Sequence, residues 1–262
     1  MTAATAAPER FDIGRVISGG FAIVGRRPVT LIVLVFLFGF LPTALTLWMT
    51  TDWLPQPAGG APDLGATFRR LGLVEVIGVL LGGMSWILQG SVAAAALSDF
   101  GGRPIGVGEA LSRAASRMPM AYVCGVLATA GIVLGTIALI VPGVLLALAW
   151  SVGGVVAVVE NTGFKSFGRS AELTRNNRGA LFVIFLIYGI ASTVLGIVAR
   201  AIGGASLISA GGTDPLWVTL GVQPLASAIV QVFMTATIVS AYVELRGVKD
   251  GLAASSLASL FD

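Results

Sequence analysis

Histidine is absent from the 262 residues, and cysteine occurs once. The first absence removes the commonest general base, the commonest metal ligand and the usual pH switch, so any catalysis would have to run on carboxylates, lysine, serine or tyrosine. The second precludes an internal disulfide. Cys124 sits in an apolar run, where a thiol behaves as a small hydrophobe. Charge is scarce as well, at 11% of residues, too little to clothe a soluble domain. No GxxxxGK[ST] motif follows a strand, which leaves nucleotide binding without support. The N-terminal Met1-Thr-Ala-Ala-Thr-Ala-Ala-Pro8 has no basic stretch running into an apolar core, and predicts no cleavable signal peptide.

What is present is hydrocarbon: 56% of the residues are apolar and the mean hydropathy is +0.93, values of an integral membrane protein. The pI near 9.5 does not point to nucleic acid. The basic residues lie in short segments between apolar runs, where anionic lipid headgroups are the natural counter-charge.

Six runs are long enough to cross about 30 Å of hydrocarbon: Pro28 to Met49, Leu71 to Leu97, Pro119 to Ile140, Pro142 to Val159, Ala180 to Ile202 and Trp217 to Val243. Proline at the start of the first suits a helix N-terminus. Val141-Pro142-Gly143 predicts a tight reversal between the third and fourth. The stretch 50–65, with Pro55, Pro57 and Pro62, and the Gly/Ser/Ala-rich stretch before Trp217 predict loops.

Between the spans lie short amphipathic stretches. Residues 9–27 carry Ile13, Val16, Ile17, Gly20, Phe21 and Val24 on one stripe. Residues 100–118 place Val107, Leu111 and Met118 opposite Glu109, Arg113 and Arg117. Residues 164–178 carry Lys165, Arg169, Arg175 and Arg178. These are predicted elbow helices lying along the membrane interface. The domain plan is therefore an N-terminal tail and interfacial helix (1–27), a six-helix transmembrane domain (28–246) and a C-terminal amphipathic tail (247–262). Thirteen Lys and Arg fall on the side of the N-terminus and three (Arg69, Arg70, Arg200) on the other, which predicts both termini in the cytoplasm of a bacterial inner-membrane protein.

The hairpins resemble one another. Asp99-Phe-Gly-Gly102-Arg-Pro104 aligns with Glu160-Asn-Thr-Gly163-Phe-Lys165 at an offset of 61, and Glu244-Leu-Arg-Gly247-Val-Lys249 repeats the pattern. Each even-numbered span ends in an acid followed three residues later by glycine. The fold predicted is thus all-α, with three parallel hairpin repeats, each preceded by a cytoplasmic amphipathic elbow. Asp99, Glu160 and Glu244 read as structural acids that pair with elbow cations; a cation-binding or proton-relaying ring is the alternative. Arg113, Arg117, Lys165, Arg169, Arg175 and Arg178 are the candidates for lipid headgroups. Glu75, Gln89 and Gln231 are the candidates for a polar intramembrane site, the two amides otherwise serving as interhelical hydrogen-bonding groups. No cofactor and no metal site is expected.

Val141-Pro142-Gly143, Trp150, Val159-Glu-Asn-Thr-Gly163 and Arg169-Ser-Ala-Glu-Leu-Thr-Arg175 together resemble the membrane domain attached to some bacterial glycerophosphoryl diester phosphodiesterases, and found alone in related bacterial multi-span membrane proteins. The likeness covers residues 140–178; elsewhere it is a shared hydropathy plan. In the fused proteins a separate soluble domain does the catalysis, so the resemblance implies a multi-span helical fold without activity of its own. The functional expectation is a non-enzymatic membrane protein that engages anionic lipids and organises the bilayer, a membrane-protein partner or a second copy of itself. The alternative is a transporter or lipid translocator with a polar cavity.

Overall fold

The structure, a computed structural model, describes residues 10–52, 64–100, 108, 109, 112, 116–202 and 217–251. Among these residues every regular element is helical, and six helices are long and apolar enough to cross a membrane. The architecture is that of a multi-pass membrane protein. Arg113, residues 101–107 of the second predicted elbow, the loop before Trp217 and the tail from 252 lie outside the described residues, as does the side chain of Asp99.

Helix α1 (Ile13–Arg26) opens on Asp12, whose carboxylate accepts the Arg15 backbone N–H at 2.7 Å and satisfies one orphan donor of the first turn. The first span is α2 (Pro28–Val35), a π-helical segment Phe36–Phe40 and α3 (Leu41–Asp52). The second is α4 (Leu64–Phe100) and the third α5 (Met118–Ala138). The fourth is divided into α6 (Ile140–Ala149) and α7 (Gly153–Val159). Helix α8 (Lys165–Thr174) follows, then α9 (Arg178–Ile202), a second π-helical segment Val218–Val222 and α10 (Gln223–Asp250), which Gly251 caps in the left-handed conformation at φ +67°.

At 1.5 Å per residue α4 is about 55 Å long and α10 about 42 Å, more than the hydrocarbon needs. Exposure shows where the surplus goes. Large exposed apolar side chains crowd residues 29–48, 68–80, 120–145, 182–202 and 217–229, the surface lipid would cover. The remaining lengths, 86–97 of α4, all of α7 and 235–247 of α10, are mostly buried and share one core with Ile23, Leu31, Leu34 and Leu173. The even-numbered spans thus converge at their C-terminal ends into a packed apolar body closed by α1 and α8.

Two expectations need correcting. The reversal between spans three and four falls at Leu139, which is extended (φ −160°, ψ 136°), and Pro142 lies in the first turn of α6. Proline costs nothing there because first-turn N–H groups have no helical partner; Gly143 instead lets α6 approach Thr136 of α5. The boundary at 246/247 also dissolves: α10 runs unbroken through Glu244, Gly247 and Lys249, so the last acid-glycine motif is helix interior. Around Glu160 the same motif is a turn, with Asn161 and Gly163 at positive φ.

α1 also departs from the helix expected to lie flat in the interface. Its buried stripe, Val16, Gly20 and Ile23, lies lengthwise on α10, where a Cβ on Gly20 would strike the backbone of Thr237 and one on Gly19 would strike the Ser240 hydroxyl. Phe21 meets Phe233 with ring centroids 4.9 Å apart.

Candidate functional site: a polar cavity at a broken span

The break in the fourth span positions the site. Trp150 (φ −103°, ψ 10°) and Val152 (φ −99°, ψ 8°) leave helical geometry, and Gly153 N–H bonds to the Trp150 carbonyl at 2.9 Å. It is therefore lost to Ala149, whose carbonyl it would serve in a continuous helix. Inside a membrane protein an orphan carbonyl is costly. Helix α8 supplies the remedy: Ser170 Oγ donates to the Ala149 carbonyl at 2.8 Å and Thr174 Oγ1 reaches it at 3.4 Å. Ser170 and Thr174 are fully buried. Phe167 of α8 packs edge-on against Trp150 at 5.0 Å and tilted against Trp86 at 5.5 Å. The face of α8 expected to rest on lipid is thus buried in protein, because it repairs a helix break.

Beside the break is a cavity of about 230 Å³. Its walls are Ser85, Trp86 and Gln89 of α4, Ala128, Thr129 and Ile132 of α5, Ala147, Trp150 and Ser151 at the break, Phe185 of α9, and Gln231, Met234, Thr235 and Ile238 of α10. The two intramembrane amides, 142 positions apart in the sequence, therefore line one space. None of its lining residues is charged. Gln89 Oε1 is buried without a hydrogen-bond donor and lies against Gly154 at the start of α7. The Gln231 amide oxygen lies against Gly39 in the π-helical segment of the first span; such segments often accompany functional sites. Three hydroxyls on the wall spend their protons on their own helices: Ser85 to Gly82 O (2.7 Å), Thr129 to Gly125 O (2.9 Å) and Ser151 to Leu148 O (2.9 Å). Their oxygens keep lone pairs, so the wall offers acceptors alongside the amide and indole N–H groups of Gln89, Gln231, Trp86 and Trp150.

Glu75, expected with these amides, is elsewhere. It is exposed on α4, about 21 Å along the helix from Gln89 at 1.5 Å per residue. Gln89 and Gln231 were legible as amides in apolar runs, but the break that gives them a cavity was not. Ser151, Trp150 and the Gly153-Gly154 pair were its only sequence signal.

The acids and the basic residues meet at the other end of α7. Glu160, 12% exposed at its side chain, receives Arg246 Nη1 at 2.5 Å, Arg169 Nε at 3.3 Å and the Tyr242 hydroxyl at 3.0 Å. Asp250 Oδ2 accepts from Arg169 Nη2 at 2.5 Å and forms an ion pair with Arg246, whose Nε lies 2.8 Å away, and Arg169 reaches Glu172 at 3.2 Å. Arg246 also lies 5.9 Å from the Tyr242 ring centroid. Three elements, α7, α8 and α10, are bound by one charge network. Partial burial pulls the Arg169 guanidinium toward losing its proton, but Glu160, Glu172 and Asp250 prevail and its pKa is raised. Glu244 pairs with Arg15 of α1 at 2.6 Å, and this hydrogen bond raises the Arg15 pKa.

For Glu160 and Glu244 the pairing expected between a span-end acid and an elbow cation is therefore present. Of the residues expected at lipid headgroups, Arg169 is turned inward to three carboxylates. Arg117 donates to the Val158 and Val159 carbonyls at 2.7 and 3.4 Å, a cation at the C-terminal end of α7. Lys165 and Arg175 are exposed and Arg178 is half-buried. Among the described residues no cluster of acids and cysteine could hold a metal.

No family model, curated protein or solved structure matches the chain. The functional reading therefore rests on the geometry of this molecule.

Proposed function

We propose that this is a bacterial inner-membrane protein with both termini in the cytoplasm that takes a lipid-like amphiphile into the intramembrane cavity and serves as a transporter or lipid translocator without enzymatic activity. One observation carries the reading: Gln89 and Gln231, from different spans, line a single cavity beside a broken span. Broken helices that line polar cavities at mid-depth are how transporters place irregular backbone in a membrane. A cavity retained only for packing would be filled with side chains; this one keeps a buried acceptor without a donor, an arrangement that costs stability unless a ligand or water supplies the proton. The exposed Lys165 and Arg175 supply anionic-lipid attraction at the cytoplasmic surface, worth about 1 kcal/mol each.

The test is native mass spectrometry of the protein released from detergent, reading the lipid retained. An amide hydrogen bond within a membrane contributes about 0.6 to 2 kcal/mol. Gln89→Leu and Gln231→Leu should each weaken retention roughly 3- to 30-fold, whereas Glu75→Gln should leave it unchanged. Equal retention by wild type and the Gln89→Leu/Gln231→Leu double variant would refute the reading.

A further inference from the structure

Between α6 and α9 runs an apolar groove of about 590 Å³, with Val144, Leu148, Phe182, Leu186, Ile190 and Val194 on its walls. It lies on the lipid-covered surface: Phe182, Leu186, Ile190 and Val194 are 46–56% exposed. Along α9 it extends from Phe182 to Val194, about 18 Å at 1.5 Å per residue. Its floor at Gly189 is open, since a Cβ there would meet nothing within 4 Å, and the Thr193 hydroxyl is spent on the Gly189 carbonyl at 2.9 Å. Ala147 and Phe185 line both this groove and the polar cavity. An apolar channel open to lipid thus ends at a half-buried aromatic ring with the Gln89 and Gln231 cavity on the other side.

We propose that the groove and the cavity form one lipid site, entered sideways from the bilayer past Phe185, which holds an acyl chain in the groove and an uncharged, hydrogen-bond-donating head in the cavity. This rests on the reading of the cavity as the ligand site and names the ligand's class. The occupant follows from the continuity of the two spaces. A partner helix would cover the groove but leave the acceptors behind Phe185 unserved, whereas an amphiphile serves both ends. The head is specified by what the wall offers. Gln89 Oε1 has no donor, and the Ser85, Thr129 and Ser151 protons are already committed, so a hydroxyl or amide N–H finds partners. A phosphate or carboxylate could accept from the amide and indole N–H groups but brings a charge, and no lining residue is a cation; burying it there carries the penalty of an unpaired ion.

The experiment uses the protein's own reporters. Trp86 and Trp150 line the cavity, and replacing Trp48, Trp53 and Trp217 with Phe leaves them as the only indoles. This protein, in detergent micelles, is titrated with a monoacylglycerol brominated along its chain, with the matching ionised fatty acid and with phosphatidylglycerol brominated likewise. The expected result is saturable quenching by the monoacylglycerol, reversed by its unbrominated form, with both charged probes at least tenfold weaker. Gly189→Leu, which fills the groove in open space, should weaken monoacylglycerol binding about tenfold, and Thr193→Leu is the second filling variant should the first not fold. Quenching that is non-saturable, or equal for charged and uncharged probes, overturns the assignment of the head. Unchanged binding in a folded groove-filled variant overturns the tail and the sideways route. Loss of the Gln89 and Gln231 effect on lipid retention is a separate failure, that of the cavity as a site at all.

Discussion

Replacing Glu160 with glutamine keeps its shape and removes the charge on which α7, α8 and α10 converge. The wild-type carboxylate and the Arg246 guanidinium are 12% and 10% exposed, so the pair is largely removed from water. Orphaning one member of a buried pair costs roughly 3 to 5 kcal/mol. Here Asp250 stays 2.8 Å from Arg246 and 2.5 Å from Arg169, and the glutamine oxygen can still accept from one guanidinium. The cost of Glu160→Gln should therefore be about 2 to 3 kcal/mol. SDS titration in mixed micelles reads this as an earlier loss of helix-packing signal. The decisive form is a double-mutant cycle with Arg246→Gln, for which directly bonded residues should show a coupling of about 1 to 3 kcal/mol. Additivity of the two variants to within about 0.5 kcal/mol would refute the reasoning. Arg15→Gln provides the contrast: the Arg15 side chain is 56% exposed but its partner Glu244 only 13%, so losing Arg15 should lower the stability, by less than losing Glu160 does.

Further outcomes follow from the packing. Ser170→Ala removes the closer donor to the Ala149 carbonyl and should destabilise by about 1 to 3 kcal/mol; Ser170→Ala/Thr174→Val should cost more and, in a thiol-accessibility assay with a cysteine at Ser151, raise labelling as the break loosens. Gly20→Ala drives a methyl into the Thr237 backbone and should cost about 1 to 3 kcal/mol by overpacking, read as a lower melting temperature. Gly25→Ala on the same helix meets nothing within 4 Å and should be neutral or stabilising by up to about 1 kcal/mol. Tyr242→Phe withdraws one donor from Glu160 and should cost about 1 kcal/mol in the same melting assay.

Much of the scaffold could be read from one-dimensional patterns because lipid imposes them. An apolar run near 20 residues long is a span whatever its neighbours do, and six were legible, with Pro28 opening the first. Legibility failed where tertiary contacts replace local rules. The stripe on α1 reads the same whether it faces lipid or α10, and only the small residues Gly19 and Gly20 hinted at a helix packed close by. The motif Glu244-Leu-Arg-Gly247 copies Glu160-Asn-Thr-Gly163 in sequence, yet one is helix and the other a turn, since Leu245 and Arg246 are good helix formers and Asn161 adopts left-handed backbone readily. Arg169 looked like a headgroup ligand because, of its carboxylate partners, only Glu172 shares its helix: Glu160 ends α7 and Asp250 lies 81 positions away on α10. The break in the fourth span, at residues 149–153, carries no proline. Its geometry depends on Ser170 and Thr174 of α8 arriving to serve one carbonyl, which periodicity does not reveal.

The central claim is that the space between Gln89 and Gln231 is a ligand site open to the bilayer, and the most direct measurement is a cryo-electron microscopy map of the protein in nanodiscs made from bacterial lipid. The prediction is elongated density along Val144, Leu186 and Ile190 that continues past Phe185 to within hydrogen-bond distance of Gln89 Oε1. A cavity collapsed onto itself, with Gln89 and Gln231 bonded to each other or to backbone and the groove filled by the protein's own side chains, would contradict it.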